Sequence, residues 1–286
     1  MQHSNQRIDP GHIKALALDL DGTLLRPEGS LGERTVKTLK ACVDHGMKAI
    51  ICTGRSVEAA ERYRQTLGIT GPMVYFNGAE VVDMPGRSVL NAALLDTEVA
   101  DYCTDLARGI GLYYQAYVPG TRGGSESILL TENYTQEADM YYKHTGVKPV
   151  IGNLKEALAA PGLKGCIKSM FISDPSTHEG IRSRLHARFG ARISIVRSSP
   201  VFLEILDAQV SKGRGLTQAM EYQGLKQSQV IAFGDEENDL AMFKAAAFSA
   251  APANAKEQVR QAADLVIGSN AEEGVAAFLE ELFGLG

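Results

Sequence analysis

The chain has 286 residues, 44% hydrophobic and 22% charged, and its 29 basic against 34 acidic side chains leave a formal charge of −5. A chain of this length sustains a core without disulfides or a structural metal and has room for two domains. Its mild acidity speaks against a general nucleic-acid binder, which needs a basic excess, and against a polybasic membrane-surface protein.

Met1 to Lys14 is polar, and no apolar run approaches the ~18 residues that cross a bilayer, so the expected location is cytoplasmic. The cysteines Cys42, Cys52, Cys103 and Cys166 form no C-x-x-C pair and read as small buried hydrophobes. The six histidines do not cluster and are expected at the surface.

From Ile13 onward, short apolar runs alternate with amphipathic stretches, the pattern of βαβ units around a parallel sheet. Ile13 to Leu18 is a nearly unbroken apolar run, as a strand covered on both faces should be. A helix is predicted over Leu31 to His45, with Ser30 as its cap, Glu33 completing a capping box and Gly46 ending it. Met47 to Cys52 reads as the second strand, and Ser56 caps a helix that Gly68 closes. Met73 to Phe76 and Ala79 to Asp83 form a hairpin around Asn77-Gly78. Between about Pro85 and Asp207 the character changes. Runs at Gly111 to Val118 and Ser125 to Thr131 flank the turn Gly120 to Gly124, and strands follow at Cys166 to Ser173, Arg192 to Val196 and Val201 to Leu206. This stretch is expected to be a second, α+β domain inserted into the first. The βα alternation then resumes, with strands at Val230 to Phe233, Ala247 to Ala250 and Asp264 to Ile267, and a helix over Asn254 to Ala262. The domain limits are thus 1–84 and 208–286 for the two core parts and 85–207 for the insert.

The chemistry gathers where strands end. Asp19 and Asp21, in Asp19-Leu20-Asp21-Gly22-Thr23, are two apart and converge at a strand's carboxyl end, where open α/β sheets bind ligands. Two such carboxylates repel unless a cation compensates. The second strand ends in Thr53-Gly54-Arg55, a hydroxyl and a glycine N–H near a helix start that suit a phosphate. A third strand runs into Gly234-Asp235-Glu236-Glu237-Asn238-Asp239. So many carboxylates without histidine or cysteine suit Mg²⁺ better than zinc. Lys212 lies where the chain re-enters the first domain, and no P-loop, G-x-S-x-G or H-E-x-x-H motif is present.

Taken in order, Asp19-x-Asp21-Gly22-Thr23, Thr53-Gly54-Arg55, Lys212 and Gly234-Asp235-x-x-Asn238-Asp239 resemble the four signature motifs of the haloacid dehalogenase-like phosphohydrolases. The long insert is similar to the cap of their Cof-type subfamily. Further likeness lies in Asn77-Gly78-Ala79, Lys168, Glu204-Ile205, Asn254-Ala255, Asn270 and Glu273-Gly274-Val275; Pro252-Ala253 departs from the usual Met-Gly. The resemblance implies an α/β fold, with a Rossmann-like parallel-sheet core and an inserted α+β cap. It implies Asp19 as nucleophile forming an aspartyl-phosphate, and Asp21 as general acid and base. Mg²⁺ would be held by Asp19, the Asp21 backbone and Asp235, with Asp239 or Asn238 in support. Thr53, Gly54, Lys212 and Asn238 would contact the phosphate or substrate. The expected partner is a small phosphorylated metabolite, above all a sugar phosphate, with the cap loop Gly120 to Ser125 a candidate contact. A phosphomutase, a phosphatase dedicated to one sugar phosphate and a receiver-like Mg²⁺/phosphate-sensing module remain alternatives.

Overall fold

The computed structural model describes residues 8–120 and 125–285. The first stretch of the chain forms β1 (Ala15–Leu18), α1 (Glu33–Asp44), β2 (Lys48–Ile51), α2 (Val57–Leu67), β3 (Gly71–Tyr75), β4 (Glu80–Met84) and β5 (Ser88–Ala92). Next come β6 (Leu95–Asp96), α3 (Thr97–Ile110), β7 (Tyr113–Pro119), β8 (Ser127–Thr131), α4 (Gln136–Thr145), β9 (Val150–Ile151), α5 (Leu154–Leu158) and β10 (Gly165–Cys166). They are followed by β11 (Lys168–Ile172), α6 (Pro175–Phe189), β12 (Ile193–Ser199) and β13 (Phe202–Asp207). The last stretch is α7 (Lys212–Tyr222), β14 (Val230–Phe233), α8 (Leu240–Ala245), β15 (Phe248–Pro252), α9 (Glu257–Ala262), β16 (Leu265–Ile267) and α10 (Gly274–Phe283).

The core sheet has the order β16-β15-β14-β1-β2, and all its pairs are parallel. All four residues of β1 are buried, because helices cover both faces of the sheet. β1 is the switch point: the chain proceeds to β2 on one side, and β14 returns on the other. The crevice beyond its carboxyl end is therefore where an open α/β sheet takes its ligand. A second sheet, β3-β4-β5, joins this edge through a parallel Cys52–Val74 bridge.

The inserted cap is built on a mixed sheet, β12-β13-β11-β7-β8-β9, antiparallel except at β8–β9. Period-two alternation gives this sheet two distinct faces. Tyr114, Ala116, Phe171, Leu203 and Ile205 pack with residues of α3 and α6 in the cap's own core. Tyr117, Met170 and Phe202 turn the other way and join the main core, where Tyr117 meets Phe76 edge-on at 4.9 Å. Lys168 and Glu204 share the parity of Met170 and Phe202, so they too point toward the main core.

Several expectations need adjustment. β5 pairs with β4, so the sheet begun by the predicted hairpin runs past residue 84. We place the crossing into the insert after Ala92. Helix α1 starts at Glu33, not Leu31, and Ser30 does not cap it, because the Ser30 hydroxyl donates to Glu28. The Glu273 carboxylate instead accepts the Thr35 N–H at 2.7 Å, capping α1 from the far end of the chain. Helix α9 starts at Glu257, because Asn254 is spent on tertiary contacts: it donates to the Gly22 carbonyl at 2.8 Å and accepts the Asn270 N–H at 2.9 Å. His178, expected at the surface, is buried. Residues 121–124 of the proposed substrate loop lie outside the described residues. All four cysteines are buried and free. Among the described residues no helix is long and apolar enough to cross a membrane.

Candidate active site

Asp19 follows β1 directly, and its backbone N–H donates to the Phe233 carbonyl of β14. This bond fixes the end of β1 against the end of β14, so the loop at 234–239 lies beside Asp19. Gly22 then turns the chain with φ +81°, and an added Cβ would sit 2.1 Å from an Asp235 carboxylate oxygen. Glycine is needed here for both reasons. Lys212 enters from the first turn of α7. Close packing carries that helix in: a Cβ on Gly213 would meet the Ala241 carbonyl at 2.2 Å, and one on Gly215 the Val74 side chain at 2.5 Å. Gly213 and Gly215 thus serve helix packing.

These elements assemble a buried charged cluster. Lys212 is 2% exposed and donates to Asp19 Oδ1 at 2.5 Å and to Asp239 Oδ1 at 2.7 Å. Asp239 accepts the Asp235 and Glu236 N–H groups on its other oxygen, both at 3.0 Å. Thr23 donates to Asp235 Oδ1 at 2.8 Å. Asp19, Asp235 and Asp239 can each offer an oxygen within 4.8 Å of the others. Three buried carboxylates face one lysine. Burial first, then repulsion from Asp239, Asp235 and Asp21, raises the Asp19 carboxyl well above its ordinary range against the pull of Lys212. Burial and Asp239 raise Asp235 to about 7. Lys212 is held charged, since Asp19 and Asp239 outweigh its desolvation. The cluster contains only hard oxygen donors and is short of positive charge, which fits a Mg²⁺-type cation.

Asp21 stands apart from this cluster, at the mouth, with about half its side chain exposed. Arg55 grips it through two bonds, Nε to Oδ2 at 2.7 Å and Nη2 to Oδ1 at 2.6 Å. Burial would raise the Asp21 carboxyl, but the Arg55 hydrogen bond and charge, helped by His144 and Lys212, bring it below its ordinary value.

Core and cap enclose a cavity of about 880 Å³ above these groups. Its wall carries Asp19, Asp21, Gly54, Lys212, Asp235 and Asn238, so the structure brings these six predicted residues together. Thr53 and Asp239 are fully buried behind the wall. The Thr53 hydroxyl accepts the Arg55 N–H at 3.1 Å. Asn238 donates to Asn77 Oδ1 at 2.8 Å, and Asn77 donates to Glu204 Oε2 at 2.9 Å. Glu204 accepts from Lys168 Nζ at 2.9 Å, and the same ammonium donates to the Gly54 carbonyl at 3.1 Å. The buried Lys168–Glu204 pair of the cap is thereby bound to two core loops. Sequence reasoning gave Asn77, Lys168 and Glu204 no role beyond family likeness. A lysine and a glutamate inside otherwise apolar strands were the signal that could have singled them out.

With the geometry established, comparison with known proteins gives one answer. Residues 16–279 match the family described as haloacid dehalogenase-like hydrolase. The 5-amino-6-(5-phospho-D-ribitylamino)uracil phosphatase YitU of Bacillus subtilis is 30% identical over 284 residues, covering 94% of this chain and 97% of the relative. The pyridoxal phosphate phosphatase YbhA of Escherichia coli is 27% identical, covering 93% of this chain and 97% of that protein. Among solved structures, a haloacid dehalogenase-like hydrolase from Bacteroides thetaiotaomicron superposes with a TM-score of 0.84 at 26% identity, covering 95% of this chain and 100% of that chain.

Proposed function

The chain belongs to the haloacid dehalogenase-like hydrolases, as a Cof-type phosphatase with an inserted cap, and we propose that it hydrolyses small phosphate monoesters through an aspartyl-phosphate on Asp19. The observation that carries this reading is the Asp19 carboxylate, fixed at the end of β1 on the cavity wall with Lys212 at 2.5 Å. An Asp19 oxygen attacks phosphorus and the bond to the leaving alcohol breaks. Asp21, at the mouth of the same cavity, gives that alcohol its proton. Water then attacks the aspartyl-phosphate while Asp21 takes the water's proton, and inorganic phosphate leaves with Asp19 restored. Lys212 offers its remaining N–H to a phosphoryl oxygen, and the Gly54 backbone lines the same space.

Asp19, Asp235 and the Asp21 backbone carbonyl would hold Mg²⁺, which supplies the positive charge that lets a phosphate dianion approach three carboxylates. Asp239, with both oxygens engaged by Lys212 and two backbone N–H groups, serves as a buttress. Relatives named as phosphatases of 5-amino-6-(5-phospho-D-ribitylamino)uracil and of pyridoxal phosphate support a small phosphorylated metabolite as substrate. Phosphate release from p-nitrophenyl phosphate and sugar monophosphates with Mg²⁺ tests the proposal. Asp19→Asn or chelation should lower turnover by roughly 10⁴-fold or more. An Asp19→Asn protein that hydrolyses esters at near wild-type rate overturns it, and an isomerised sugar without free phosphate would point to a mutase.

A further inference from the structure

The cavity extends well beyond the phosphate end. Its far wall is made by the cap elements α6 and β12, which contribute His178, Arg182 and Arg197. His178 and Arg182 are four residues apart and lie on one face of α6. His178 is 4% exposed, yet neither ring nitrogen has a hydrogen-bond partner. Burial and the nearby Arg182 and Arg197 charges lower its basicity, against the Ser173 backbone and Asp174, which favours the neutral ring. It thus presents one N–H donor and one bare nitrogen. Arg182 reaches only the Ile195 carbonyl, at 3.4 Å, and neither arginine is in an ion pair among the described residues.

The nearby carboxylates do not neutralise this wall. Glu204 is occupied by Lys168, Asn77 and Ser198. On the core rim, Glu236 and Glu237 are held by Lys256. Asp174, close enough to act on His178, caps α6 by accepting from Ser176, which leaves Glu179 among the cavity-wall carboxylates against two guanidinium groups. A buried imidazole donor without an acceptor is costly, and guanidinium groups favour oxyanions that take two hydrogen bonds at once.

Building on the phosphatase reading, we propose that His178, Arg182 and Arg197 form a distal oxyanion subsite, so that the preferred substrate is a phosphate monoester with a carboxylate or second phosphate at its far end. Arg182 and Arg197 hold that anion and His178 donates its N–H to it, while the scissile phosphate lies against Asp19 and Lys212. The leaving group is then selected by charge at one end of the cavity and cleaved at the other.

The test compares kcat/KM for glucose 6-phosphate, 6-phosphogluconate and fructose 1,6-bisphosphate with Mg²⁺. At least one of the two doubly anionic esters should exceed glucose 6-phosphate by about tenfold or more. Arg197→Gln, at an exposed position where folding is not at stake, should bring that ratio close to one, as should His178→Gln. Arg188→Gln, on the same helix but paired outward toward Glu98, should keep it. Calorimetric titration of the Asp19→Asn protein with the same esters should show the same order of affinity. Loss of all turnover, including that of p-nitrophenyl phosphate, with the calorimetric preference intact would reject the phosphatase reading and support the subsite. Turnover without preference for either doubly anionic ester, or a preference that survives both Arg197→Gln and His178→Gln, overturns the subsite alone.

Discussion

Replacing Lys212 with methionine removes the cation that Asp19 and Asp239 share. The side chain is 2% exposed and makes two charge-assisted bonds, at 2.5 and 2.7 Å, so the variant leaves two buried carboxylates without their partner. Breaking a buried pair in this way costs about 3–5 kcal/mol. For a chain of this size that lowers Tm by roughly 5–8 °C. The loss should depend on pH in a definite direction. Asp19 and Asp235 already have carboxyls raised above their ordinary range, chiefly by burial, and removing Lys212 raises them further. An acid whose folded pKa exceeds its unfolded one favours the folded state when protonated. The deficit of Lys212→Met should therefore be smallest in acid, where these carboxyls are protonated in both proteins, and grow as pH rises through about 7, where Asp235 begins to ionise in the wild type. Thermal melts of metal-free wild type and Lys212→Met from pH 4.5 to 8 measure the difference directly. Adding Asp239→Asn, which removes one of the stranded charges, should restore part of the loss. A pH-independent deficit, or one that shrinks as pH rises, would refute the electrostatic account of the cluster. Turnover should fall by a factor of 10³ or more in the same variant, because Lys212 touches the proposed nucleophile and would hold the phosphoryl group.

Glu80, which does not line the cavity, should show the same linkage. Burial, aided by Glu58, raises its carboxyl from an ordinary 4.5 to about 8, so ionisation opposes folding across that interval at about 1.4 kcal/mol per pH unit. Glu80→Gln should accordingly stabilise the protein by about 3 kcal/mol at pH 7 and by under 1 kcal/mol at pH 5. Urea titrations at the two pH values would contradict this if the gain were equal at both. Arg55→Ala addresses the proposed general acid. Without the bidentate grip, burial raises the Asp21 carboxyl, Asp21 stays protonated to higher pH, and the alkaline limb of the kcat profile moves upward. A limb that stays in place would show that Asp21 does not govern it.

The residues legible in the sequence are those whose function follows from local geometry. Asp19, Thr53-Gly54 and Asp235 each sit where a buried strand ends, and strand ends can be located from apolar runs alone. Once three strands are known to be parallel neighbours, their carboxyl ends must converge. The second layer was not legible, because its contacts join distant parts of the chain. Asn77 and Glu204 are 127 positions apart, and the Glu273 carboxylate that caps α1 lies 238 positions from Thr35. No periodicity encodes such a pairing. His178 shows why composition also misleads: a histidine among polar helical residues reads as surface, yet the packing of α6 against β12 buries it beside two arginines that stay more open. The same reasoning revises what the charge of −5 implies. Net acidity disfavours anionic ligands only if charge is spread evenly. Here Asp19, Asp235 and Asp239 converge on Lys212 at one end of the cavity, while Arg182 and Arg197 stand without ion-pair partners among the described residues at the other. A phosphate ester meets these local fields, and the sum over the surface says little about either end.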